Sequence, residues 1–382
     1  MFAWVLVGLA ALTIDLGLVR ATQRQMQSMT DEAALEAAHQ LDGTPTDRQL
    51  AAQSVINAAM NDTQSNEDQR FGAGPTITLA AGSKDLGDAF SAPSMLTNPS
   101  KDDPSRKVYK PELAANAANA PDGDIVRGTF TGSTKAFPEA ADYSRDDFTL
   151  DSAGNAILVR LRRSHESFTD GDTAKTAGPA LPYLFARGSL MSVEGKAKGV
   201  TIRATSIAAA RPVLTAGPSI DAGHPGVAPF GLTLASWQTW RKSNPTATTL
   251  TATVDGTGAI SGDVAGAFTS PAATDVTMIG KPFIPSGAAG MVLPFDRYVP
   301  LFDAIGGIDR IVGFINTSSI TLADGTLTLS ITTAVATANA TTALSPGAAA
   351  SPLTGLSAAD LIALFTSNAN IIDPLRAPTL VR

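Results

Sequence analysis

The chain has 382 residues, no cysteine, a formal net charge of −7 and a pI near 5.0; 16% of its residues are charged, 44% hydrophobic and 6% aromatic. That balance offers no basic surface to a phosphate backbone, so nucleic acid is left without support as a partner. The missing cysteines exclude a disulfide framework and a thiolate metal site. The length exceeds the roughly 250 to 300 residues that one core organises, so two or three compact units are expected. A charged share below the roughly 25% of ordinary soluble domains, with abundant Ala, Gly, Thr and Pro, points to small-residue β-structure and close helix packing.

From Met1 to Val19 the chain reads MFAWVLVGLAALTIDLGLV, 19 residues with one ionisable side chain, Asp15. About 20 apolar residues cross a bilayer, so this run is at the lower limit of a span. No basic stretch precedes it and no small-residue cleavage pattern follows, which sets it apart from an ordinary signal peptide. Helix-favouring sequence continues through ATQRQMQSMTDEAALEAAHQL to Gly43 and Pro45, the first strong stop signals. One helix over residues 2–41 would be about 60 Å long at 1.5 Å per residue, twice the hydrocarbon thickness, and is expected to protrude. Met26, Met29, Ala33 and Ala37 share a face by their spacing of three and four, with Gln23, Gln27, Thr30 and Asp31 elsewhere around the helix.

The order Asp15-Leu16-Gly17, then Arg20 and Arg24, then Met26-Gln27, Asp31, Ala33-Ala34-Leu35 and Ala37-Ala38 resembles the N-terminal module of Tad (tight adherence) pilus-assembly proteins of the TadE/TadG-like type. These are related in layout to type IV pilins. The resemblance covers about the first 40 residues, and the Asp-Leu-Gly and Gln-x-x-x-Asp spacings carry most of it. Met29-Thr30 in place of an alanine pair, and Glu36 within the alanine run, depart from the pattern. The family's basic leader is missing before the apolar helix, and the expectation is a processed or trimmed start. Arg20 and Arg24 after the apolar run go against the positive-inside rule, and a removed leader would account for that.

The resemblance implies an N-terminus directed inward, a body outside the cytoplasm, and a part in surface appendages or their assembly. Its implied partners are copies of the chain itself through the N-terminal helix, the membrane and the pilus-assembly machinery. The residues assigned to this membrane or assembly interface are Phe2, Trp4, Leu9, Leu12, Asp15, Gly17, Arg20, Gln27, Asp31 and Leu35. A carboxylate in an apolar helix costs about 2.5 to 3.5 kcal/mol at a bilayer centre and usually has a partner. Pairing of Asp15 with Arg20 or the α-amino group of a neighbouring copy is one reading, and solvation at the headgroup boundary is the other.

Thr44-Pro45-Thr46-Asp47 is a helix start, with Thr44 as N-cap and an acid three residues on, and predicts a second helix from Pro45 to about Met60 packed through Leu50, Val55, Met60 and its alanines. Residues 61–75 and 96–106 read as loops. Short β-type runs follow at Thr76–Ala80, Ile125–Thr131, Phe148–Leu150, Ala156–Arg162, Val200–Ala208, Thr248–Val254, Val276–Ile279 and Gly290–Pro294. Ile320, Leu322, Leu327, Leu329 and Ile331 alternate about Asp324-Gly325, a hairpin signal. Leu301–Ile315 and Ser357–Phe365 read as helices, the latter with a capping box. The Pro/Gly cluster Arg211–Pro229 marks either a boundary or a long loop, and residues 333–356 a linker or decorated surface. The layout is α+β: an N-terminal helix over 1–42, a second helix over 43–61, a β-rich domain over 62–215, and an α+β region over 230–382 with the hairpin and a C-terminal helix.

Little in the chain names a reaction. His39, His165 and His224 sit in unrelated contexts, and no nucleophile elbow or zinc-protease pattern is present. Asp122-Gly123-Asp124 and Asp170-Gly171-Asp172 are turns that could each offer two carboxylates to Ca²⁺, without the twelve-residue loop of an EF-hand. Trp237 and Trp240 fit either core or an exposed platform for glycans. Asn61, Asn316 and Asn339 open glycosylation sequons. The expectation is a non-enzymatic structural or assembly protein of a Tad-type surface filament, without cofactor or metal. The alternative is an anchored adhesin or glycan-binding module that does not polymerise.

Overall fold

The computed structural model describes residues 2–60, 113–130, 147–163, 200–218, 226–269, 276–287, 297–335, 340–344 and 352–381, without the side chains of residues 2–8, 11, 59, 60 and 163. The strands expected at Thr76–Ala80 and Gly290–Pro294, the loops at 61–75 and 96–106, His165, His224, the 170–172 turn, Asn61 and Asn339 lie outside the described residues. The chain divides into two compact units, Met1–Ala209 with Leu380–Arg382, and Ala210–Thr379.

In the first unit, α1 (Phe2–His39) and α2 (Pro45–Met60) precede β1 (Ile125–Phe130), β2 (Phe148–Leu150), β3 (Ala156–Arg163) and β4 (Ile202–Pro212). The second contains β5 (Thr215–Ala216), β6 (Phe230–Thr233), α3 (Leu234–Ser243), β7 (Thr249–Val254), β8 (Ala259–Ser261) and β9 (Gly266–Phe268). It continues with β10 (Thr277–Met278), β11 (Tyr298–Ile305), β12 (Ile308–Ala323), β13 (Thr326–Thr332), β14 (Ala340–Thr341) and α4 (Ala358–Ala369), and β15 (Arg376–Leu380) ends the chain. The architecture is thus an N-terminal helix followed by a β-rich body with few helices.

The turn from α1 to α2 is built by local chemistry. The Thr44 hydroxyl accepts from Asp47 N–H at 3.2 Å while the Asp47 carboxylate accepts from Thr44 N–H at 2.8 Å, a reciprocal capping pair. The Thr44 N–H first, and then the Thr44 hydroxyl, which donates to the same carboxylate at 2.8 Å, hold the Asp47 carboxyl below its ordinary range. Buried Arg48 reaches back to the carbonyls of Leu41 (3.2 Å) and Gly43 (2.6 Å), closing the end of the first helix; burial lowers its guanidinium from the usual value. The packing face of α2 is Arg48, Ala52 and Ile56, at spacings of four. Leu50, expected to pack, sits half a turn away and is exposed, because two residues rotate a helix by about 200°.

The sheet of the first unit is five-stranded, in the order β15-β4-β3-β1-β2. β1–β2, β1–β3 and β3–β4 are antiparallel, and eight residue pairs join β3 to β4, from Ala156 opposite Ala209 to Arg163 opposite Ile202. Val126, Phe130, Ala156, Leu158, Ile207 and Ala209 form a small core. Close backbone approach is needed where β1 meets the β2–β3 turn: a Cβ on Gly154 would lie 2.1 Å from the Gly128 carbonyl. The Asp122-Gly123-Asp124 turn holds an arginine clamp. Asp124 is buried, accepts from Ala114 N–H at 3.0 Å and pairs with Arg162, while Arg160 donates to the carbonyls of Pro121 and Gly123 at 2.8 Å each. Of the two carboxylates that a Ca²⁺ reading would need, that of Asp124 is thus taken by a guanidinium, and among the described residues no group of three or more metal-ligating side chains gathers.

Unit two closes a seven-stranded barrel, β11-β12-β13-β7-β8-β9-β6, sealed by the parallel pairing of Leu301 and Phe302 with Leu232 and Thr233. Period-two alternation sets its wall: Leu250 and Ala252 are buried between exposed Thr249, Thr251 and Thr253, and Leu327, Leu329 and Ile331 do the same in β13. At the β12–β13 hairpin Asp324 and Gly325 both have positive φ, 49° and 73°, the geometry of a type I′ turn. Leu301–Ile315, expected as a helix, is instead the β11–β12 hairpin, turning at Gly306-Gly307 with φ of 63° and 80°. Both strands are buried on two faces, so their apolar run is nearly continuous and its spacing imitates a helix. Ala340–Thr341, inside the expected linker, forms β14 and pairs with β5. Ser357 caps α4 as expected, by the full reciprocal box with Asp360.

Trp237 and Trp240 of α3 are core residues, their rings stacked 5.5 Å apart, and Trp237 Nε1 donates to the Ile372 carbonyl at 2.8 Å. Phe230, Phe268, Phe283, Tyr298, Phe302 and Phe314 complete the aromatic interior. Asn316 is buried within β12 and its amide donates to the Ala334 carbonyl at 3.0 Å, which removes that sequon from the folded surface.

Candidate functional site

The helix α1 has two halves with different surroundings. In the first, Leu9, Leu12 and Leu16 are 57%, 50% and 54% exposed on one side, and Ile14, on nearly the opposite side, is 47% exposed. Large aliphatic side chains thus stand exposed on two sides of this half of the helix. Among the residues whose side chains are described, no helix is long and apolar enough to cross a membrane; that set omits residues 2–8, where the apolar run begins.

In the second half two adjacent faces are covered. Thr22, Met26, Met29, Ala33 and Ala37 form one buried stripe, with Asp15 above it; Thr30, Ala34, Ala38 and Leu41 form the other. The stripe expected from the spacing of Met26, Met29, Ala33 and Ala37 is fully buried. Small side chains let backbones approach closely, and Thr30 is accommodated by donating its hydroxyl to the Met26 carbonyl at 2.6 Å.

A polar cluster then ties the helix to the sheet. Gln27 Nε2 donates to the Asp31 carboxylate at 2.7 Å, to Ser206 Oγ at 2.7 Å and to the Thr205 carbonyl at 3.2 Å; the Ser206 hydroxyl itself donates to Asp31. Asp31 is thereby satisfied by neutral donors while half covered. The Gln-x-x-x-Asp spacing puts both side chains on one face one turn apart, which is what lets a single serine bridge them. Thr30, assigned from the sequence to the polar remainder of the helix, is instead buried, and half-buried Gln27 and Asp31 bond the sheet.

Of the assigned interface residues, Phe2 and Trp4 have side chains outside the described set, and Leu9, Leu12 and Arg20 are exposed. Gly17 has open space at its Cβ position. Asp15 is buried and engaged. Gln27, Asp31 and Leu35 are half-buried, the first two on β4. Sequence reasoning did not find Ser206, because a serine in a strand 175 residues downstream of Asp31 carries no local signal. Arg48 was missed too, although a basic residue just after a helix stop could have suggested the carbonyl cap.

Arg20, Gln23, Arg24 and Gln27 line an open concavity of about 360 Å³ on the same side of the helix, one to two turns before the sheet contact. Residues 1–40 match the family model described as Flp pilus-assembly TadE/G-like. No curated protein and no solved structure matches the chain.

Proposed function

With a TadE/G-like Flp pilus-assembly segment at its head as the premise, we propose that this chain is a structural component of a Tad-type surface system, inserted by the first half of α1 into a membrane or filament core and carrying its β-rich body outside the cytoplasm. The observation that carries this reading is the division of α1. Residues 9–16 expose large aliphatic side chains on both sides of the helix, whereas residues 22–41 spend their apolar face on their own body. Large aliphatic side chains exposed on both sides call for lipid or other helices to cover them. Self-association is confined to the first half, because the second half has no free stripe left. The proposed role is structural rather than catalytic.

The test is shearing of surface material, electron microscopy of the fibres and fractionation of the envelope. The chain is expected in regular fibres, with residues 2–21 at the contact between copies. Recovery only from membranes, as a monomer in detergent, would sink self-assembly and leave an anchored envelope protein that displays its body as an adhesin.

A further inference from the structure

We infer that Arg20 and Arg24 form a docking face for the phosphate groups of anionic lipid at the membrane surface, an inference that rests on the membrane reading of the first half of α1. Positions 20, 23, 24 and 27 fall within about 100° of one another around a helix, so Arg20, Gln23 and Arg24 share one exposed side, with Gln27 at its lower edge against the sheet. Both arginines are exposed, and neither has an ion-pair or hydrogen-bond partner among the described residues. From Leu16 to Thr30 the sequence contains no acidic residue, and Asp31 below is already taken by Gln27 and Ser206.

Position along the axis selects the occupant. The apolar run ends at Val19, and at 1.5 Å per residue the Cα atoms of Arg20 and Arg24 lie about 1.5 and 7.5 Å beyond it. The polar headgroup layer on each side of a bilayer is roughly 5 to 7 Å deep, so both forks reach phosphate oxygens there. Guanidinium matches phosphate through two parallel donors, and Gln23 adds a neutral one, while the Gln27 amide is committed to Asp31, Ser206 and the Thr205 carbonyl. The whole chain carries a net −7, which works against an anionic surface, so a preference for one is assigned to this face. Because Gln27 belongs both to this face and to the contact with β4, the lipid contact would also fix the rotation of α1 at the membrane and hence the aspect that the first unit presents.

The experiment is flotation of the full chain with vesicles of phosphatidylcholine alone and with vesicles of phosphatidylcholine and phosphatidylglycerol in equal part, for the wild type and for R20Q/R24Q. The wild type is expected to prefer the anionic vesicles, and the double variant to lose about 30-fold of that preference, the effect of two basic residues at such a surface, with high salt doing the same. Equal flotation with both vesicle types, unchanged in the variant, would overturn the headgroup contact while leaving the anchor intact. Failure to float with either would remove the membrane reading and the inference with it. A variant that keeps the lipid preference but changes the size of the detergent-extracted particle would assign the guanidinium groups to a neighbouring copy and overturn the inference.

Discussion

The two units solve the same problem with different materials. In the second, large aromatic side chains fill a barrel and its flanking helix: Trp237, Phe230, Phe268, Tyr298 and Phe314 are all at most 1% exposed. In the first, the helix stripes set four alanines beside Met26, Met29, Leu41 and two threonines, the sheet core is small, and hydrogen bonds between distant residues hold the parts together. Burial of apolar area is non-directional and tolerant, whereas a polar cluster is worth little net and a good deal when broken, because a covered carboxylate or amide is then left unpaired. The barrel is therefore expected to be the more stable unit, and the helix–sheet contact the more specific one.

The largest effect tests that contrast directly. Trp237→Ala opens a cavity in the barrel core and orphans the Ile372 carbonyl, and should cost about 3 to 5 kcal/mol. Calorimetry should show the second unit's transition falling while the first unit's stays in place; a common shift of both would mean that the units melt as one.

Next comes the polar cluster. Ser206→Ala removes one donor from the Asp31 carboxylate and one acceptor from Gln27, and is expected to cost about 1 to 2 kcal/mol. Hydrogen exchange should speed up at the amides of residues 26–38 and not in the barrel. Unchanged protection there would show that alanine packing alone holds the helix.

Gly325→Ala is smaller, about 1 kcal/mol, since only the φ of 73° at the turn is strained. Urea titration should show it in the barrel's transition with an unaltered slope.

The gentlest probe is acid, which tests whether the capping and turn carboxylates act alike in both units. The Thr44 N–H lowers Asp47, the Ala153 N–H lowers Asp151 and the Thr257 hydroxyl lowers Asp255, each from 3.8. A carboxyl with a lower pKa folded than unfolded contributes stability above the unfolded value and loses it as pH falls through the folded one. Melting temperatures should thus be flat above about pH 5 and fall below about pH 4, with Asp47→Asn and Asp255→Asn flattening the slope of their own units. A melting temperature that rises on acidification from pH 4 would contradict the assignment.

Local signals were legible wherever a short stretch completes its own chemistry. Thr44-x-x-Asp47 and Ser357-x-x-Asp360 started helices within a residue of the expected place, and Asp324-Gly325 gave its hairpin. The stripe of Met26, Met29, Ala33 and Ala37 was readable because a helix repeats in 3.6 residues whatever covers it. Leu301–Ile315 was misread because burial on both faces erases the period that separates strand from helix. Of the candidate site, the Gln-x-x-x-Asp spacing was visible; its use was not.

By itself, then, the sequence determined the elements whose cause is local, namely caps, turns, apolar run and helical face, and also the likeness of its first 40 residues to the TadE/G-like pilus-assembly model. The tertiary structure alone decided which groups those faces meet: Ser206 between Gln27 and Asp31, Arg162 on the Asp124 carboxylate, and the closure of the barrel through the parallel β6–β11 pair. The physical reason is sequence separation. A capping bond or a turn closes over three or four residues, whereas a contact across 175 residues is chosen only once the whole chain has packed, and nothing in either partner's neighbourhood announces the other.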